Sequence, residues 1–154
     1  YSLLQANPTL RAVIVELPEV ARIAEEFALE KGLQDRVEII EGDMFRIDDL
    51  PPAQMVLFSN ILHDWDEPEC LELTARYAAK LPSGGRMLIH DVFLNDTMDG
   101  PLSIALYSSA LFSVTEGRAY SAAEYRAMLK AAGLITDGLV STLVHCAVLT
   151  GTKP

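Results

Sequence analysis

Four short apolar runs recur along the chain, and the first and second, like the third and fourth, are separated by a stretch whose apolar residues repeat at helical spacing. The runs are Arg11 to Glu16, Arg36 to Glu41, Gln54 to Ser59 and Arg86 to Leu94. A run of this kind has no polar face, so it suits a strand covered on both sides, as in a parallel sheet flanked by helices. Between the runs, Glu19 to Lys31 carries Val20, Ile23, Ala24, Phe27 and Ala28 on one helical face and stops at Gly32. Glu67 to Leu81 does the same with Cys70, Leu71, Leu73, Thr74, Tyr77, Ala78 and Leu81, and is broken by Pro82 to Gly85. The expected class is therefore α/β, with a mostly parallel sheet.

The ends of the chain add detail. Tyr1 to Ala6 reads as the end of a helix, since Pro8 drives Asn7 out of the α region. Pro101 to Val114 reads as an apolar helix opened by proline. Ser121 and Glu124 have capping-box spacing and open a helix through Ala132, with Gly133 as its stop. Thr136 to Thr142 and His145 to Gly151 are expected to close the chain as an antiparallel hairpin at the sheet edge.

With 154 residues and 50% hydrophobic content, one domain or part of one is expected. Lys and Arg number 12 against 22 Asp and Glu, and a net charge of -10 argues against nucleic acid and anionic membranes as partners. No run reaches the ~18 apolar residues needed to span a bilayer. Cys70 and Cys146 lack a CxxC or metal-ligand pattern, so both are expected to be free thiols of a cytoplasmic protein, with no metal site.

The densest chemistry follows the third run. Met55 to Phe58 gives way abruptly to Ser59 and Asn60, and His63-Asp64-Trp65 then leads into a helix capped by Asp64 or Asp66. That places a titratable ring at the carboxyl end of a strand, where open α/β sheets bind ligands. The same ring could instead simply satisfy a backbone carbonyl.

Four sites in order carry a family resemblance: Val15-Glu16-Leu17-Pro18, Gly42-Asp43-Met44-Phe45 after Glu41, Ile61-Leu62-His63-Asp64-Trp65 with Cys70, and Gly84 to Ile89 running into Asp91. Together they resemble the S-adenosylmethionine-dependent O-methyltransferases of the plant caffeic-acid type and of bacterial natural-product pathways. The resemblance runs from residue 1 to 154 and implies a Rossmann-like methyltransferase sheet with a C-terminal antiparallel hairpin.

It also implies roles. Glu16 would accept the ribose hydroxyls with Leu17 beside it, Asp43 would accept the adenine amino group, and Met44 and Phe45 would lie near the ring. Ser59 stands where many relatives have lysine near the cofactor, and Trp65 resembles a residue flanking the adenine. His63 resembles the general base that takes the proton of an aromatic hydroxyl, with Asp91, and Asp64 beside it, orienting the ring. Asn60, Leu106, Ala110, Leu111 and Phe112 would meet the acceptor. Each role has a plainer counterpart: Glu16 solvated, Asp43 in an Asx turn above a Met44 and Phe45 core, the Pro101 to Val114 segment merely packed. One departure stands out, since Ala119 occupies a position where the family has a second orienting glutamate.

The family's first strand, its glycine-rich loop and its N-terminal dimerisation region have no counterpart in these 154 residues. The sequence is thus expected to be the C-terminal portion of a catalytic domain, from a longer protein that dimerises through the absent region. Without the central first strand, the strands at Arg11 and Arg36 should separate from the rest and leave unpaired edges. Two competing readings are a protein that binds the cofactor but catalyses another reaction, and a non-catalytic scaffold fragment.

Overall fold

The run after Arg11 forms β1 (Ala12–Glu16), and it pairs in parallel with β2 (Val37–Glu41), Glu16 standing beside Glu41 at the carboxyl tips. Between them runs α2 (Pro18–Glu30), with proline at its first position, where a missing N–H costs nothing. It stops where the sequence placed the stop. Gly32 adopts φ +64°, its N–H reaches Leu29 O, and Leu33 N–H reaches Ala28 O at 2.8 Å, which together satisfy the last carbonyls of the helix. A short helix, α1 (Ser2–Ala6), precedes β1. These elements make one compact unit, Tyr1–Pro51, of the computed structural model, which describes all 154 residues.

A residue not singled out in the sequence holds the start of this unit. Arg36 Nη1 donates to the carbonyls of Asn7, Pro8 and Leu10, and Nη2 donates to Leu4 O at 2.7 Å. The guanidinium thus ties the last turn of α1 to the carbonyls of the turn that follows it.

The second unit, Pro52–Pro154, is built on a sheet whose strands β3 (Met55–Ser59), β4 (Arg86–Leu94), β8 (Cys146–Thr152) and β6 (Ile135–Thr136) lie side by side in that order. β3 (Met55–Ser59) lies parallel to β4 (Arg86–Leu94), with Ser59 opposite His90. Between them come α3 (Glu67–Lys80), capped by Asp66, whose Oδ1 accepts from Glu67 N–H at 2.9 Å. Lys153 Nζ closes the far end by donating to Ala78 O and Ala79 O. α4 (Leu102–Val114) follows β4, and β5 (Tyr120–Ser121) lies parallel to the end of β4. In α5 (Ala122–Ala131) both arms of the capping box form: Ser121 Oγ accepts from Glu124 N–H, and Glu124 Oε2 from Ser121 N–H.

The C-terminal hairpin differs from its expected form. The segment expected as one strand is two pieces, β6 (Ile135–Thr136) and β7 (Val140–Ser141), both antiparallel to β8 (Cys146–Thr152). β8 itself is interior, because its other side pairs antiparallel with β4 from Arg86–Thr152 to Val92–Cys146. The physical reason lies in its alternation: Ala147, Leu149 and Gly151 are buried, and an added Cβ at Gly151 would press on Leu134 and Leu129. The core gathers Leu62, Leu73, Met87, Ile89, Tyr125, Leu129 and Leu149, with Phe58 edge-on to Tyr77.

The β1-β2 ladder and the β3-β4-β8-β6 ladder share no strand. No helix is long and apolar enough to cross a membrane.

Candidate active site

In the second unit the chain must turn sharply at the tip of β3. Asn60 takes φ +53°, a left-handed conformation that asparagine tolerates better than most residues, and its N–H donates to His90 O. A single 3-10 turn, Leu62–Asp64, then carries the histidine. The turn is pinned from several sides. Cys70 Sγ donates to Leu62 O at 3.1 Å, Tyr120 Oη donates to Trp65 O at 2.8 Å, and Gly117 lies so close that an added Cβ would stand 2.3 Å from His63 O. Only glycine permits that approach.

His63 is buried, at 3% exposure, and so is Asp91, at 0%. Their side chains meet, Nδ1 to Oδ1, at 2.5 Å. β4 makes this possible because Ser59 pairs with His90, so Asp91 lies one residue beyond the tip of β3. Alternation sends the two neighbours apart. His90 Nδ1 meets Ser59 Oγ at 2.9 Å and its Nε2 approaches Thr142 Oγ1 at 3.3 Å, whereas Asp91 faces the histidine. Asp91 Oδ1 also accepts from Val92 N–H, and Oδ2 accepts from Tyr125 Oη at 3.0 Å.

The other imidazole nitrogen points at a phenol. Tyr107 Oη lies 3.4 Å from His63 Nε2, with the rings edge-to-face at 5.6 Å. Asp64 Oδ1 is 3.6 Å from the same nitrogen. Burial alone would lower the histidine pKa, but the hydrogen bond and charge of Asp91, with the charge of Asp64, outweigh it and hold the pKa above the ordinary value. Burial pushes the Cys70 thiol up to about 12, so that sulfur serves as a hydrogen-bond donor rather than a nucleophile.

Ala119, where the resemblance has a glutamate, is fully buried in an apolar cluster with Val92, Leu94 and Ile104. Asp91 thus meets Nδ1 and Asp64 lies near Nε2, while position 119 contributes a methyl group. Of the residues expected to meet the acceptor, Asn60, Leu106, Ala110 and Phe112 are exposed and Leu111 is buried. Trp65 is half-buried after the turn.

In the first unit the expected nucleoside residues collect at the tips of β1 and β2. Gly42 N–H donates to Glu16 O at 2.9 Å, which ties the two tips together. Glu16 is half-buried and Leu17 exposed. Asp43 forms an Asx turn, Oδ1 accepting from Phe45 N–H, with Arg46 Nε 3.4 Å from Oδ2, and Met44 and Phe45 are half-buried. Tyr107 and Tyr125 were not among the sequence candidates. In a sequence both read as ordinary members of helical apolar faces, and only the meeting of α4 and α5 with the histidine pair sets them apart.

The mixed sheet of the second unit sets a buried histidine–carboxylate pair just past the carboxyl tip of β3, where open α/β enzyme folds place their ligands, and comparison narrows the class. The chain belongs to the O-methyltransferase domain family, whose model matches residues 2–135. It is 38% identical over 132 residues to a 3-hydroxy-5-methyl-1-naphthoate 3-O-methyltransferase of Streptomyces sahachiroi, a match covering 85% of this chain and 38% of that protein. Among solved structures, a family 2 O-methyltransferase from Planctomyces limnophilus, in complex with apigenin, is 49% identical with a TM-score of 0.95, over 99% of this chain and 45% of that one. Human N-acetylserotonin methyltransferase, solved with S-adenosylmethionine, is 26% identical with a TM-score of 0.88, over 97% of this chain and 42% of that one. The chain therefore spans less than half the length of the relatives it matches.

Proposed function

We propose that this chain is the C-terminal part of the catalytic domain of an S-adenosylmethionine-dependent O-methyltransferase acting on a phenolic hydroxyl of a small aromatic natural product. One observation carries the reading: a buried carboxylate holds His63 by Nδ1, and Nε2 faces the hydroxyl of a phenol, Tyr107, at 3.4 Å. With the Nδ1 proton directed to Asp91, Nε2 bears the lone pair that can take a phenolic proton.

The cofactor residues fit by the chemistry of their groups. Glu16 and Asp43 offer acceptors at tied strand tips to the hydroxyl and amino donors of a nucleoside, and a carboxylate retains lone pairs beyond those used in an Asx turn. Leu17, Met44, Phe45, Ser59 and Trp65 would flank it. When bound, S-adenosylmethionine supplies an electrophilic methyl group on a sulfonium. Asn60, Leu106, Ala110, Leu111 and Phe112 would steer the aromatic acceptor, His63 would remove its proton, and Asp64 and Asp91 would hold the imidazole. The larger share of rate should come from alignment of the acceptor oxygen. The full protein is proposed to be a cytoplasmic homodimer whose dimerisation region, with the first strand and glycine-rich loop, lies outside these residues. The relatives' greater length supports only the part of this reading that concerns a longer chain.

The test uses full-length protein. His63→Ala should lower turnover of a phenolic acceptor by about 10²- to 10⁴-fold, while the calorimetric affinity for S-adenosylhomocysteine stays within about twofold because the proposed nucleoside residues Glu16, Asp43 and Met44 are unchanged. Unchanged turnover removes His63 from the mechanism, and a product lacking the mass of one added methyl removes methyl transfer.

A further inference from the structure

Asp91 is held more firmly than orienting one imidazole requires. Its Oδ1 is shared by His63 and Val92 N–H, and Oδ2 is taken by the Tyr125 hydroxyl. Tyr125 is itself fully buried, and its ring is fixed between Phe93, at 5.5 Å, and Tyr120, at 5.3 Å. Its hydroxyl therefore has a set direction. Burial and the neighbouring Asp91 push its ionisation well above the ordinary tyrosine value, so it remains a donor throughout the working range.

We propose that Tyr125 is a positioning residue for the His63–Asp91 pair: its hydroxyl fixes the carboxylate plane and favours the charged carboxylate, which keeps the proton affinity of the pair low enough for His63 to act as a base. The proposal rests on the reading of His63 as that base. Ala119 provides no polar group, so support for the carboxylate comes from α5 instead.

The sign follows from charge. With His63 neutral the pair carries one negative charge, and with His63 protonated it carries none. A donor to Oδ2 stabilises the first state more, so losing it raises the pH at which His63 titrates. The titratable groups around the pair are Asp64 on the 3-10 turn, Tyr107 on α4, Cys70 on α3, Tyr120 on β5 and Cys146 on β8. Burial raises both thiols and both tyrosines, which leaves them neutral, and Asp64 favours protonation of His63. Arg118 lies over the Tyr120 ring and is paired to Glu124 at 2.6 Å. Val92 N–H and the Tyr125 hydroxyl are thus the donors that oppose the carboxylates.

The test is a titration of full-length protein carrying ¹⁵N-labelled histidine, following the ring nitrogens of His63, with Tyr125→Phe and Tyr120→Phe compared. Tyr120 is as buried as Tyr125 and also loses a hydrogen bond, but to Trp65 O rather than to the pair. Tyr125→Phe should raise the protonated-to-neutral ratio of His63 at neutral pH about tenfold, and the acidic limb of kcat/KM should move to higher pH with it. Tyr120→Phe keeps its ring against Tyr125 and loses a contact to the turn at Trp65 O, so it should move the midpoint much less. Placing 3-fluorotyrosine at position 125, a stronger donor of nearly the same shape, should move it the opposite way, so the proposal stays testable if Tyr125→Phe does not fold. An unmoved midpoint in both position-125 variants, or equal movement in Tyr120→Phe, overturns the proposal. These titrations need no turnover, so the failure of His63 as base, read from His63→Ala, is a separate result.

Discussion

The two units settle their polar groups in opposite ways. In the first, the chief tie is a single guanidinium on four backbone carbonyls, and α2 leaves Val20, Ile23, Phe27 and Leu29 exposed. The second buries His63, Thr74, Asp91 and Ser121 with partners and closes an aromatic and aliphatic core around them. An element held mainly by backbone ties opens at low cost, whereas one built round a buried ionic network should open only as a whole. The contrast also suits the proposed division of labour, with nucleoside residues at the strand tips of one unit and acid-base chemistry inside the other.

The contrast can be broken most directly at Asp91. Asp91→Ala leaves the His63 ring, Val92 N–H and the Tyr125 hydroxyl without their acceptor in a dry interior, and should cost about 3–5 kcal/mol, read from chemical denaturation of the full-length protein. Amide exchange should quicken throughout the second unit and stay unchanged in α2. Equal loss of protection in both units would end the distinction.

A smaller effect should come from Arg36→Ala, which removes the donors to Leu4, Asn7, Pro8 and Leu10 and should cost about 1–2 kcal/mol. Here faster exchange should be confined to α1 and the start of β1. Spread of the effect into β4 or β8 would show that the units do not open separately.

The smallest effect is in pH. All three histidines, His63, His90 and His145, belong to the second unit. The folded pKa of His63 is raised, so its contribution to stability is fully present below the unfolded histidine value and is lost as pH rises through the folded one. The stability advantage of wild type over His63→Asn should therefore be greatest at about pH 5.5 and fade above neutrality, while protection of α2 stays flat. An advantage that grew with pH would reverse the assigned sign.

Much of this was legible in the sequence because local rules decided it. Gly32 and Gly133 end their helices through the same pair of carbonyl contacts, and the Ser121 and Glu124 box forms as spaced. The histidine could be placed at a strand tip because the apolar run stops abruptly after Phe58, whereas its pairing with Asp91 was implied by the family resemblance. Other features depended on tertiary contacts. Arg36 looked like a charge at a strand start, and its four acceptors come from a turn 26 to 32 residues earlier. Tyr125 looked like helix core. The break between β6 and β7 falls at Asp137-Gly138, a turn dipeptide that the reading of one continuous strand passed over, and there Asp137 N–H bonds Thr150 O.

One consequence of the β4 ladder concerns how this chemistry could change. Nine-residue β4 runs past five-residue β3, and His90 and Asp91 occupy opposite faces of it. Inserting or deleting one residue between Gly85 and His90 would exchange those faces without altering any side chain. A homologue with such a shift would carry every motif of this chain in recognisable order, yet would point an imidazole or a valine where the carboxylate belongs.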